Sequence, residues 1–282
     1  MAIHLDQNAY GKNAIRLSKI IRHPDRHEIR QISVDVSLQG DFDAAHLEGD
    51  NSKILPTDTM KNTVYVLARD RFTTSIEAFA LVLADHFLSN NPQVTLVTIG
   101  ISEDCWARMT IDGAAHPHAF INGGGEKHIA RVEQDRRRAG LSAGISDLLI
   151  LKTTDSGFEG YIKDAFTTLK ETPDRILSTS CEVSWVYEEF PLDMQETYEA
   201  IRELLLETFA DHKSLSVQHT LYAMGEAVLQ HFAAVREITL KMPNKHHIPF
   251  SLQAFGLENA NEIFVATDEP YGYITGTVVR KG

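Results

Sequence analysis

Apolar and polar residues alternate at Ile32, Val34, Val36 and Leu38, the two-residue period of a strand with one buried face. Val64, Val66 and Ala68 predict a further strand after Thr57. Ile76, Phe79, Ala80, Leu83 and Phe87 then fall on one helical face, behind a Thr73-Thr74-Ser75 start with Glu77 in the first turn. Val94, Leu96, Val97, Ile99 and Ile101 return to strand, and Trp106 to Ile111, Asp112-Gly113 and His118 to Ile121 read as a hairpin. The second half repeats the order. Ile176 to Tyr187 predicts a strand, and Met194, Tyr198, Ile201, Leu205 and Phe209 a helix face. Val217, Leu221, Met224, Val228 and Phe232 mark another helix. Ile238, Leu240 and Met242 form a strand that Pro243 stops, and Ile263 to Val279 supplies two more short strands. Residues 122–141, with Gly123-Gly124-Gly125 and Arg136-Arg137-Arg138, read as a loop with a solvated charge cluster. Strands and helices segregate rather than alternate singly, which favours an antiparallel α+β fold.

Residues 54–87 laid on 176–209, at an offset of 122 without a gap, share nine identities in 34 positions, among them Ile54/Ile176, Val64/Val186, Glu77/Glu199 and Phe87/Phe209. That is more than unrelated stretches share, and it points to an old duplication. The 282 residues then divide into two similar halves, 1–141 and 142–282.

Composition narrows the partners. Lys and Arg number 27 against 39 Asp and Glu, a net charge of −12, which argues against a nucleic-acid partner. A small anion is still open, because a site sets its own field. No apolar run approaches a membrane span, no secretory signal opens the chain, and two cysteines cannot make a disulfide framework; a cytoplasmic protein is expected.

Cofactor motifs are missing: no G-x-G-x-x-G follows a strand, and there is no Walker A or G-x-S-x-G. The 13 histidines include only His116-Pro117-His118 and His246-His247 as close groups, without zinc spacing, so no metal is expected. Three polar segments stand out instead. Pro56 to Thr63 crowds polar residues between two apolar stretches. Leu215-Ser216-Val217-Gln218 opens a helix behind Ser214 or Ser216, where free N–H groups suit an anion. Met242 to His247 sets an imidazole beside a side-chain amide.

Six segments in order complete the picture: Tyr10-Gly11-Lys12-Asn13, Thr57 to Tyr65, Leu151-Lys152-Thr153-Thr154 to Phe158, Asp174-Arg175-Ile176-Leu177, Ser216-Val217-Gln218 and Pro243-Asn244-Lys245-His246. Together they resemble the signatures of the urate oxidases (uricases) of bacterial type. The resemblance implies two tandem T-fold (tunnelling fold) halves, antiparallel sheets backed by helices, in a tunnel-shaped homotetramer with active sites at subunit interfaces. It implies oxidation of urate by O₂ and water to 5-hydroxyisourate and hydrogen peroxide, with neither metal nor organic cofactor. By similarity Lys12, Thr57 and His246 form a base relay. Arg175 and Gln218 grip one edge of the purine, Phe158 stacks on its ring, the N–H groups of Val217 and Asp58 bind further acceptors, and Asn244 with Thr57 holds O₂ or water. Lys12, Thr57 and Asp58 would come from one subunit and the Arg175/Gln218 side from its neighbour. Pro56 departs from the family pattern, where a small residue is common before the Thr-Asp pair. A metal-dependent pterin or purine enzyme of the same fold group is the alternative, and a catalytically dead purine binder is a third; the missing metal cluster and the Lys12/Thr57/His246 set count against them.

Overall fold

The computed structural model describes residues 3–281. Eight strands, β1 (Tyr10–Arg22), β2 (His27–Gly40), β3 (Val94–Ile111), β4 (Ala114–Asp135), β5 (Ala139–Lys152), β6 (Leu177–Tyr187), β7 (Val235–Pro249) and β8 (Phe264–Val279), run in sequence order across one sheet. The pairs β1/β2, β2/β3, β3/β4, β6/β7 and β7/β8 are antiparallel. The helices are α1 (Asp43–Leu47), α2 (Thr57–Arg71), α3 (Ile76–Asn90), α4 (Met194–Asp211) and α5 (Val217–His231). With α1 a short addition, β1-β2-α2-α3-β3-β4 is followed by β5-β6-α4-α5-β7-β8. The expected α+β class is what the chain adopts.

The chain forms two compact units, residues 1–144 with 189–198, and residues 145–188 with 199–282. In the first, α3 packs on β3 and β4, and α2 packs on β1. Ile32, Val34, Val36 and Leu38 of β2 and Ile76, Phe79, Leu83 and Phe87 of α3 are all buried in its core, as their periods predict. Glu77 is fully buried there rather than solvated: its Oε1 lies 2.7 Å from His128 Nε2 on β4. In the second unit, α5 packs on β7 and β8, and the core holds Val183, Trp185, Leu221, Met224, Ile238 and Leu240. Cys181 is buried here, and desolvation pushes its thiol up to about 12.

Several expectations are corrected. Val64, Val66 and Ala68 belong to helix α2, not a strand; Met60, Val64 and Ala68, four apart, are its buried face, while Val66 is exposed. The 122-residue offset therefore sets α2 against strand β6 and matches helix to helix only in its second part. Better counterparts are α3 and α5, each 15 residues long behind a serine N-cap and each followed by a strand, from Val94 and Val235. Residues 122–135 continue β4 rather than looping. The Gly123-Gly124-Gly125 run is taken up where the register with β3 shifts between Asp104/Lys127 and Trp106/Asn122, with Gly124 at φ +118°. The turn itself is short: the Arg137 and Arg138 N–H groups donate to Asp135 Oδ1 at 2.7 and 2.8 Å.

Pro243 does not stop β7. It sits opposite Tyr273 of β8, where pairing with β6 lapses between Lys241 and Asn244, so no ladder N–H is missed. Residues 264–279 are one strand rather than two, because a register shift between Asn244 and His246 absorbs the irregularity. The Asp112-Gly113 hairpin stands, with both residues at positive φ (51° and 77°), as a two-residue primed turn demands. β3, however, runs without a break from Val94 through Trp106 to Ile111. The strands β1 and β5 were not visible in the apolar pattern.

Cations close the carbonyl ends of the helices. Lys19 Nζ donates to the carbonyls of Ala68, Arg69 and Phe72 at 2.9, 2.9 and 2.7 Å at the end of α2. Arg136 Nη2 reaches Leu88, Asn91, Pro92 and Val94 at 3.2 to 3.4 Å after α3. Arg280 does the same for Leu229 and the C-cap residue Phe232 at the end of α5, and Lys152 for His212 just past α4.

Two variants test these end contacts. Arg136→Ala should cost about 1 kcal/mol, read as a lowered thermal midpoint. Asp135 has its pKa lowered by the two backbone bonds, so its contribution is present above the unfolded pKa and lost as pH falls through the folded value. Asp135→Asn should therefore lower the midpoint near neutral pH and match wild type once the carboxylate is protonated.

Candidate active site

In the second unit a cavity of about 490 Å³ is lined by Phe158, Arg175, Asn244 and His246, with His247, Ile248 and Phe264 among its walls. Phe158 is fixed by its backbone: its N–H donates to Thr172 at 2.8 Å, and it accepts in return at 3.2 Å. The Arg175 N–H donates to the Ser156 carbonyl at 2.6 Å, which places its guanidinium 5.1 Å from the Phe158 ring centroid.

Arg175 is the unusual group. Its Nε is buried without a hydrogen-bond partner, and no carboxylate among the described residues pairs with the guanidinium. Burial lowers its pKa from the ordinary arginine value, since desolvation penalises the charge. A half-buried cation without a counter-ion, stacked on an aromatic ring in a cavity, is a site for a flat anion.

Asn244 and His246 stand two apart on β7, with Asn244 Nδ2 3.4 Å from His246 Nδ1. Asn244 is only 9% exposed and pairs across with Thr179, whose buried hydroxyl has no partner. His247, expected on the opposite face, also borders the cavity. Val217 and Gln218 are the first two residues of α5. Ser216, not Ser214, is the N-cap: its hydroxyl accepts from the His219 N–H at 3.1 Å. The N–H groups of Val217 and Gln218 precede the first intrahelical bond and are available to a ligand. The two residues do not line the cavity itself, but Gly157 N–H donates to the Ser214 carbonyl at 2.8 Å and ties the Phe158 loop to the start of α5.

The first unit carries a separate hollow of about 550 Å³, bordered by Tyr10, Gly11, Lys12, Val36, Ser37 and Thr57. Lys12 lies on β1 opposite Val36. Gly11 is needed beside it, because a Cβ there would come within 1.8 Å of the Val36 carbonyl oxygen. Thr57 and Asp58 are the first residues of α2 rather than part of a loop, and Pro56 is the N-cap. Proline loses nothing at that place, and the first helical bond runs from Met60 N–H to the Pro56 carbonyl at 3.2 Å. The Thr57 and Asp58 N–H groups are thus free, like those of Val217 and Gln218. The Asp58 carboxylate is turned to Lys61 and Asn62, and Lys61 holds its pKa below the usual range.

Sequence reasoning gave no role to Tyr10. Its hydroxyl accepts the Leu55 N–H at 2.8 Å, its ring meets Phe42 edge-on at 4.8 Å, and together these set the approach to Thr57. Asp174 was quoted only within a motif, yet it accepts from the Thr154 hydroxyl and the Ser156 N–H next to Arg175. Long-range partners of this kind leave no local signal. Among the described residues no group of three His, Cys, Asp or Glu is placed to hold a metal ion, and no helix is long and apolar enough to cross a membrane.

Comparison with known proteins bears on this arrangement. The family model described as uricase matches residues 8–133 and 141–275. The uricase of Arthrobacter globiformis is 43% identical over 278 residues, covering 99% of this chain and 90% of that protein. That of Oryctolagus cuniculus is 39% identical, covering 98% and 94%. The crystal structure of the Arthrobacter globiformis uricase superposes with a TM-score of 0.94 at 42% identity, over 100% of this chain and 96% of that one. The urate oxidase of Bacillus sp. TB-90, at 21% identity and a TM-score of 0.85, shares the fold. With the matches spanning both units and nearly every residue, the chain belongs to the uricase family, the urate oxidases.

Proposed function

We propose that the chain oxidises urate with O₂ and water to 5-hydroxyisourate and hydrogen peroxide, using neither metal nor organic cofactor. The observation that carries this reading is the unpaired Arg175 guanidinium over Phe158, a cradle for a planar anion. Urate gives two electrons to O₂, water supplies the hydroxyl that bonds to carbon 5, and the two protons released leave with the reduced oxygen as hydrogen peroxide. Triplet O₂ reacts sluggishly with closed-shell molecules, so the purine must first become an electron-rich anion held by fixed charges.

Arg175 and Gln218 hold one edge of the ring, the Arg fork lying in the ring plane, and Phe158 stacks against its face. The N–H groups of Val217 and Asp58, each at a helix start, donate to the remaining anionic edges. Lys12 and Thr57, which border one hollow, form the base relay with His246, and Asn244 with Thr57 holds O₂ or water above the ring.

The chain works as a homotetramer of tandem T-fold halves, 1–141 and 142–282, a reading supported by the repeated β-β-α-α-β-β order. Each site joins Lys12, Thr57 and Asp58 of one subunit to the Arg175 side of the next. Two separate hollows, one per unit, support a shared site: Lys12 and Thr57 border one, while Phe158, Arg175 and His246 line the other.

Metal-free protein should bleach the ultraviolet band of urate in air, with peroxide appearing, and leave it unchanged under nitrogen; urate surviving in air defeats the reading. Arg175→Ala should raise the Kd for urate about a hundredfold. Lys12→Met should instead lower kcat by about a hundredfold or more with little effect on binding. Each variant alone should turn over poorly at low urate, but co-expressed subunits of the two should recover activity, because some interfaces then combine an intact Lys12 with an intact Arg175. Recovery would fail if each site were built within one chain.

A further inference from the structure

Residues 152–157, the Lys-Thr-Thr motif and the turn after it, have no part in the reading above, yet they touch both sides of the urate grip it describes. On one side lies the connector from α4 to α5. Lys152 Nζ donates to the His212 carbonyl, Ser214 N–H to the Asp155 carbonyl at 2.8 Å, and Gly157 N–H to the Ser214 carbonyl at 2.8 Å. That connector delivers Ser216 and hence Val217 and Gln218. On the other side the Thr154 hydroxyl donates to Asp174 Oδ2 at 2.9 Å, Ser156 N–H to Asp174 Oδ1 at 3.3 Å, and Arg175 N–H to the Ser156 carbonyl at 2.6 Å.

The segment is held hard. Asp155 sits at φ +55°, a left-handed conformation that persists where the surroundings determine it. Lys152 lies over the Phe209 ring at 5.7 Å, has no carboxylate within 4 Å among the described residues, and is shifted to lower pKa by burial. Among the described residues the hydrogen-bond partner of its Nζ is the His212 carbonyl.

A ring gripped in its own plane by an arginine fork and by helix-start N–H groups tolerates little change in the distance between them. We propose that Lys152 and Thr154 are positioning residues that brace the start of α5 against Arg175, and so set the affinity for a flat purine anion. This rests on the urate reading of the site. Arg136 is the control: it closes α3, which carries no proposed site residue.

Equilibrium dialysis of urate under nitrogen, where no turnover occurs, reads the Kd directly; thermal midpoint and kcat in air at saturating urate are measured alongside. Lys152→Met and Thr154→Val should each raise the Kd about tenfold with kcat within about twofold of wild type. Lys152→Arg, which keeps a donor, should restore most of the affinity. Arg136→Ala should lower the midpoint and leave the Kd alone. If Lys152→Met does not fold, Thr154→Val at an exposed threonine carries the test. Wild-type Kd in both brace variants, or affinity lost only in step with the midpoint as for Arg136→Ala, overturns the brace. Absence of urate binding in wild type itself overturns the urate reading and the brace with it.

Discussion

A helix cannot satisfy its own ends, and that constraint organises this molecule. The carbonyl ends of α2, α3 and α5, and the residue just past α4, are each closed by a lysine or arginine from a strand or strand-flanking turn. The same contacts join helices to sheet and favour cations where the helix dipole is negative. The amide ends are treated differently: α3 and α5 spend a serine cap on one N–H each, and α2 has a proline that caps nothing with its side chain. Carbonyl ends serve the fold. Amide ends at Thr57 and Val217 are left open, and it is these that the proposed urate site uses.

The electrostatics follow the same division. A net charge of −12 describes the outer surface. Locally, Arg175 is an uncompensated cation and two helix starts add partial positive charge. Among the described residues the buried carboxylates have partners: Glu77 lies 2.7 Å from His128, and Glu103 pairs with Arg30. Against that background the guanidinium without a partner is informative, because leaving a charge unpaired costs stability unless something arrives to use it.

How much of this could be read from the chain depended on the range of the interaction. The strand around Val34 and the helices around Leu83 and Met224 were legible, since burial and period agree within each. Val64-Tyr65-Val66 misled, because β-branched residues look like strand while the four-residue spacing of Met60, Val64 and Ala68 decides the element. Pro243 and the Gly123 run looked like breaks, but long strands absorbed them through register shifts that only the partner strand reveals. The helix start at Val217 was legible from its serine. Lys12, Thr57 and His246 were picked out by resemblance, and Tyr10, Asp174 and Lys152 acquire meaning only through partners far away in sequence.

Gly11 shows how little can fix an atom that the proposed reaction depends on. With a hydrogen in place of a methyl group, β1 lies close against β2 at Val36, and the next residue along is Lys12. Any larger residue at 11 would push the strand outward and carry the ammonium with it, however faithfully the lysine itself were retained. The address of that charge is written in the residue before it, as an absence.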